Sequence, residues 1–287
     1  MNPLISVITL THNKLDVTRK CLSSWLRTAY SPWELIVVEN ASTDGTREWL
    51  KGCARGAGDA GVRVETIWNA RNIGCSTARN QGIEKAKGSL VVFVDNDVAL
   101  RSVAWLPTLA SALERDPAVA MASPKLVYPF PPYNIQCAGV GISRSGRVLF
   151  RGRGEPRDTP AFCRRQEVQC LISACLMARK SVVEEVGGFD EAFNPVQFED
   201  FDLCYRVRSK GHKAVYEPAA EMYHFESVTT AGTPALPNTG VIIRHGLLFK
   251  ERWRHAFEKE NGPADSETRW RRIRVPPLES VGELPTI

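Results

Sequence analysis

The chain reads as an α/β domain built on a mainly parallel sheet, and three observations carry that reading. Three short apolar runs, LISVITL, WELIVVE and SLVVFVD, fall within the first hundred residues and are rich in β-branched side chains. Helical patterns separate them. Each run passes directly into polar residues at its carboxyl end: Thr11-His12-Asn13, Glu39-Asn40 and Asp95-Asn96-Asp97. In open α/β sheets ligands bind beyond those ends, so three polar termini converging there point to a site.

The elements follow in order. VTRKCLSSWL spaces Val17, Cys21, Leu22, Trp25 and Leu26 along one helical face. TDGTREWLKGCA opens with Asp44 as an N-cap, and STARNQGIEKAKG ends at Gly88 as a C-cap. AWLPTLASALERDP predicts a helix and VAMASPKLVY a strand, while PFPPYN and SRSGRVLFRGRGEPRD are loop signals. LISACLMARKSVVEEVGGF predicts a strand and a short helix, with Ser181 and Glu184 as a capping box and Gly187-Gly188 as the stop. FEDFDLCYRVRSKG is a helix with acids in its first turn and Gly211 at its end. After HKAVYEPAAEMYHFES the character changes to a loop, TTAGTPALPNTG, a basic amphipathic helix, VIIRHGLLFKERWRHAFEKE, and a proline-containing tail that includes RWRRIRVPP.

Composition sets the limits. At 287 residues, 43% hydrophobic and 24% charged, the chain has ample material for one large core. The net charge of +5 suits anionic partners but falls short of the basic stripe that nucleic-acid binding needs. Eight scattered cysteines without a CxxC pair are expected to be reduced, in a cytosolic setting. MNPLISVITLTHN lacks the basic start and small-residue cleavage site of a signal peptide. No apolar stretch approaches the roughly 20 residues of a spanning helix, so a soluble or peripheral protein is expected.

Residues two apart in an extended segment face the same side, so Asp95 and Asp97 can meet one ligand. Mg²⁺ and Mn²⁺ favour oxygen ligands and take one or two carboxylates plus substrate phosphates. Taken alone, a solvated turn explains the pair equally well. The segment after the first strand, LTHNKLDVTRK, has neither the glycine-rich phosphate loop of a nucleotidyltransferase nor the GxGxxG of an NAD-dependent oxidoreductase.

The ordered set VVENASTDGT, NARNIGCSTARNQG, VFVDND, VGGFDEAF and FEDFDLCYRVRSKG resembles family 2 glycosyltransferases, rhamnosyltransferase-like, over roughly residues 4–226. The resemblance implies a GT-A fold, an inverting reaction and a nucleotide-sugar donor, a UDP- or dTDP-sugar. The acceptor would be the hydroxyl of a glycan, glycolipid or small molecule, and the cofactor Mn²⁺ or Mg²⁺. Residues 1–226 would form the transferase domain, with a nucleotide-sugar-binding half (1–100) and an acceptor half (101–226), followed by an extension over 227–287. By the same resemblance Thr11, Glu39, Asn72, Arg79 and Asp95 would hold the donor, Asp97 and His224 the metal, and Asp200 would be the general base. Glu39 stands where the family usually has Asp, and reaches one methylene further.

Other readings stay open beside these. His224 could be a core histidine, and Asp202 could simply charge its helix start. Trp25, Trp33 and Trp49 read as packing residues, whereas Trp105 could line the acceptor cleft. His12 lies in the crevice; His212, His245 and His255 read as surface. RWRRIR reads as a solvated face or a peripheral membrane contact, and the loop from Ser227 as a lid. A non-catalytic nucleotide-sugar-binding protein and a sugar-nucleotide nucleotidyltransferase are the competing functions.

Overall fold

The computed structural model describes residues 2–59, 61–226 and 239–287. Its first half is a run of β–α units: β1 (Ile5–Thr11), α1 (Leu15–Trp25), β2 (Trp33–Glu39), α2 (Thr46–Asp59), β3 (Arg63–Trp68), α3 (Cys75–Lys85) and β4 (Leu90–Val94). The four strands lie parallel in the order β3-β2-β1-β4. β2 and β4 are buried throughout, as continuous apolar runs must be when both faces are covered. Thr11 pairs with Glu39 and Glu39 with Trp68, so the polar ends of the strands come level at one edge.

Val17, Cys21, Leu22 and Trp25 form the buried face of α1, as their spacing predicts. Asp44 accepts from the backbone of Thr46 (3.2 Å) and of Leu15 (2.9 Å), so one carboxylate caps α2 and ties it to α1. β3 escapes the apolar-run criterion because RVETIW is an edge strand carrying Arg63 and Glu65, the charged type that discourages edge pairing. Gly88 is not the C-cap of α3, which ends at Lys85. A Cβ on Gly88 would sit 2.5 Å from the Leu4 carbonyl oxygen, so glycine is needed there for close passage beside β1.

The second half contains β5 (Val98–Leu100), α4 (Trp105–Glu114), β6 (Val119–Val127), β7 (Ile135–Cys137), β8 (Val140–Ile142), β9 (Val148–Phe150), β10 (Gln166–Val168) and β11 (Cys175–Arg179). α5 (Lys180–Glu185), α6 (Glu199–Ser209), β12 (Lys213–His224) and α7 (Thr239–Phe257) complete it. β11 is antiparallel to both β4 and β6 and joins the halves into one mixed sheet, order β10-β12-β6-β11-β4-β1-β2-β3. The parallel pattern read from the sequence is thus that of the first four strands. β12 runs parallel to β6 and antiparallel to β5, pairing His224 with Val98. That register delivers a histidine from the far end of the chain to the residue after Asp97.

Three further local expectations change. Ser181 and Glu184 form no capping box: α5 starts at Lys180 with Arg179 at the N-cap position, and Glu184 pairs with Lys180. Trp105 is fully buried and donates to the Thr28 hydroxyl (3.0 Å), so it is a core residue away from any cleft. His245 is buried, its Nδ1 2.9 Å from the Val196 carbonyl oxygen. α7 packs its Phe249 against Phe198, Phe201 and Tyr205 of the α6 region, and Phe249, Trp253 and Phe257 belong to the principal core. Asp202 draws this contact together, accepting from Arg206 (2.7 Å), Arg252 (2.8 Å) and the Trp253 indole (2.9 Å). It is an inter-helix anchor rather than a free charge at a helix start. The loop proposed as a lid, from Ser227, lies outside the described residues.

Candidate active site

A cleft of about 470 Å³ opens beyond the carboxyl ends of β1 and β4. Thr11, Asn72, Arg79, Asp95, Asp97, Asp200 and His224 all line it. Glu39 is not among its lining residues: fully buried, it accepts from the backbone N–H groups of Ala41 (3.2 Å) and Ser42 (2.6 Å) and meets Arg47 (3.3 Å). It shapes the turn after β2, whose Asn40 does reach the cleft.

The Thr11 hydroxyl is buried and has no hydrogen-bond partner among the described residues. An orphan of this kind at the floor of a cleft is suited to a ligand. Asn72 accepts from the Gly74 backbone (3.0 Å), which holds the turn into α3. Arg79, one turn into α3, is 4% exposed and forks between Glu199 (2.7 Å) and Asp95 (3.0 Å), with Phe189 packed on its guanidinium. Burial opposes that charge, but the two carboxylates overcome it and raise the Arg79 pKa. Arg79→Leu is expected to cost about 3–5 kcal/mol of stability, because it leaves Glu199 charged and buried without a partner. Urea denaturation measures the loss.

Asp95, Asp97 and His224 place their ligand atoms within 4.8 Å of one another, close enough to share one ion. His224 Nε2 stands 3.4 Å from an Asp97 oxygen, while its Nδ1 meets the Gln136 side-chain oxygen at 3.2 Å. Burial works against a proton on His224, yet Asp97, then Asp95 and Glu226, raise its pKa above the usual value. At Asp95 burial is the larger influence and lifts the carboxyl, with Arg79 opposing. Between the two acids, Asn96 is buried and donates to the Thr18 hydroxyl (2.7 Å), which fixes the turn.

Asp200 sits at the second position of α6. The two residues before that helix, Gln197 and Phe198, hold φ angles of +83° and +70°, a left-handed conformation that costs about 1–3 kcal/mol per residue. That turn aims the carboxylate into the cleft. Its oxygens accept from the backbone of Ser173 (3.1 Å) and of Phe201 (2.8 Å). Burial first, and then the adjacent Glu199, push its pKa up to about 7, against the pull of the Ser173 N–H and Arg79. A carboxylate poised there can accept a proton near neutrality.

Several cleft residues escaped the sequence reading. Glu199 is the buried partner of Arg79, whereas the motif marked it only as a neighbour of Asp200. Gln136, on β7 between the two loop signals, went unmarked, Phe150 comes from a loop signal, and Trp270 from a run that resembled a solvated face. Glu226 lies two residues beyond His224 and takes a double hydrogen bond from Arg153 (2.6 and 3.0 Å). Nothing local in the sequence marks Arg153, because its side chain bonds to Glu226 and Arg271, 73 and 118 residues away.

Comparison with known proteins adds the family. The profile of Glycosyl transferase family 2 matches residues 6–187. The uncharacterized protein y4gI of Sinorhizobium fredii is 33% identical over 269 residues, covering 89% of this chain; the chain spans only 28% of that protein's length. The N-acetylglucosaminyl-diphospho-decaprenol L-rhamnosyltransferase of Mycobacterium tuberculosis is 28% identical over 254 residues, covering 82% of this chain and 80% of its own. Among solved structures, GalNAc-T7 with UDP, GalNAc and Mn²⁺ has the same GT-A fold, with a TM-score of 0.70 at 16% identity over 89% of this chain and 49% of that one. With its matched profile and its sheet edge of clustered acids, this chain belongs to glycosyl transferase family 2.

Proposed function

We propose that this chain is an inverting, metal-dependent glycosyltransferase that moves one sugar from a UDP- or dTDP-sugar to an acceptor hydroxyl. The observation that carries the proposal is Asp200, a carboxylate with a pKa of about 7, facing the cleft that also holds Asp95, Asp97 and His224. Inversion needs one base. Asp200 takes the proton of the acceptor hydroxyl as that oxygen attacks the anomeric carbon, and the nucleoside diphosphate leaves.

A donor set that includes an imidazole suits Mn²⁺ better than Mg²⁺, which favours all-oxygen shells. Asp97 and His224 would hold the ion directly, with Asp95 toward the ribose. When bound, the ion neutralises charge growing on the departing diphosphate. Thr11 and Asn72 would contact the nucleoside end, Arg79 would brace Asp95, and Glu39 would act through the turn it shapes. By likeness to the mycobacterial relative, the acceptor is a lipid-diphosphate-linked sugar. A cytoplasmic setting accords with eight free cysteines; among the described residues no helix is long and apolar enough to cross a membrane.

A thermal-shift series with UDP, dTDP and GDP, each with Mn²⁺, Mg²⁺ or chelator, tests the reading. UDP or dTDP should raise the melting temperature only with metal, by an amount equivalent to about 2.7 kcal/mol at a hundredfold excess over Kd. Equal stabilisation in chelator would sink the metal assignment. Binding without any transfer or donor hydrolysis would leave a non-catalytic nucleotide-sugar-binding protein.

A further inference from the structure

We propose that Trp270 is the platform on which a pyranose ring of the acceptor stacks, a subsite that the C-terminal tail contributes to the mouth of the cleft. The proposal rests on the transferase reading above and assigns the part of the site that reading leaves open.

Trp270 lines the cleft and is 60% exposed. A large aromatic ring left open at a cleft is an unused binding surface, since burying one removes about 150–250 Å² from water. One face is already taken: the Arg153 guanidinium lies 3.9 Å from the ring centroid, and Phe150 meets the ring edge-on at 5.4 Å and 75°. At 60% exposure the residue keeps open surface beyond these two contacts.

The ring is held, not hanging. Arg153 is only 7% exposed and is fixed by its double hydrogen bond to Glu226. Its Nε donates to the Arg271 carbonyl (2.9 Å), which pins the residue after the tryptophan. Arg271 in turn pairs with Glu155 (3.1 Å). Gly154, at φ +79°, leaves room for this crossing, because a Cβ there would lie 2.9 Å from the Arg271 side chain. A platform ordered in advance costs little further entropy when a ligand settles on it.

Its shape and rim select the ligand class. A pyranose presents a face of C–H groups with hydroxyls around its equator. A flat indole takes that face, beside a polar cleft wall in which Glu226 and Gln136 are bonded to each other. An alkyl chain would gain more from an enclosed apolar groove than from one ring beside a buried ion pair. Position separates acceptor from donor. Thr11, Asn72 and Arg79 come from the β1–β4 half. Trp270 is instead tied to β9 and the loop after it, and through Arg153, Glu226 and Gln136 it is linked to the far side of His224.

Saturation-transfer NMR tests this without knowledge of the natural acceptor. The full chain is saturated in the aromatic region with diamagnetic Mg²⁺ and UDP or dTDP present, and methyl pyranosides of glucose, galactose, mannose, rhamnose and N-acetylglucosamine, together with octyl glucoside, serve as probes. At least one should show transfer to its ring C–H protons. Trp270→Ala should reduce that signal about fivefold or more, and Trp270→Phe should restore most of it, while the nucleotide signals stay unchanged in both. No transfer to any pyranoside in the wild type, or equal transfer in Trp270→Ala, overturns the platform. Signal confined to the alkyl protons of octyl glucoside also overturns it, in favour of an apolar-chain site. Failure of the nucleotide itself to bind the wild-type chain overturns the transferase reading instead, so the two failures are told apart.

Discussion

Asp200→Asn should reduce sugar transfer by roughly 10²–10⁴-fold, the usual worth of a positioned base, while Mn²⁺-dependent nucleotide binding stays within about twofold of wild type. The asparagine fits the same space and can still accept from one of the two backbone N–H groups that hold the carboxylate, those of Ser173 and Phe201. What it cannot do is accept the hydroxyl proton. In the wild type that ability exists only when Asp200 is ionised, and burial beside Glu199 sets its pKa at about 7. Hence kcat/KM should rise with pH and level off above about 7, with an acid limb that disappears in the residual activity of Asp200→Asn. A transfer rate near wild type in the variant, or a wild-type profile flat from about pH 5.5 to about pH 8, would remove Asp200 from the role.

The same shift has a consequence for stability. The folded chain keeps a proton on Asp200 up to about pH 7, whereas an unfolded aspartate releases it near pH 3.9. The folded state therefore binds more protons in that window, and Asp200 makes the protein progressively less stable as pH rises through it. Asn at this position has no proton to lose. Asp200→Asn should thus lose most of its rate yet gain in melting temperature relative to wild type as pH is raised from about 5 to about 8. Gain of stability with loss of rate distinguishes a strained functional group from a merely structural one.

The sequence made the donor side of the cleft legible and left the acceptor side obscure, for a physical reason. The strand ends of the first half are local features: an apolar run, then a polar residue that has to face something. Asp95 and Asp97 could be picked out because they end such a run, whereas Arg79, on the helix after the charged edge strand β3, came from the family resemblance alone. His224 is different. Its place beside Asp97 depends on β12 pairing with β5 in one register, a contact across 126 residues that no local pattern encodes. Only the family resemblance pointed to it. Arg153 and Trp270 had no such help. They are joined by tertiary contacts between two loop-like segments, and a tryptophan among arginines looks the same whether it faces solvent or a substrate. Glu39 marks a limit of the strand-end reading: its carboxylate accepts from the backbone of Ala41 and Ser42 in its own loop, a partner set that a polar residue at a strand end does not reveal.

Asp97→Ala is expected to weaken Mn²⁺ binding by roughly a hundredfold or more, since losing even an outer partner of a metal ligand costs about 10–100-fold. His224→Ala should act on the same equilibrium but less severely, because a carboxylate contributes charge as well as a lone pair. Electron paramagnetic resonance of free Mn²⁺ measures both directly, with no turnover required. The wild-type affinity should also depend on pH in one direction. His224 must present an unprotonated Nε2 to an ion, and Asp97 at 3.4 Å raises its pKa above the ordinary histidine value near 6.5. Proton and metal therefore compete for one nitrogen, and Mn²⁺ should bind more tightly as pH rises through that raised pKa. In His224→Ala the competition is gone, and the slope should flatten over the same range. If His224→Ala kept the full slope, the histidine would be a structural partner of Asp97 and Gln136 rather than a ligand. If Asp97→Ala kept full affinity, the ion would be held elsewhere and Asp97 would not be its ligand.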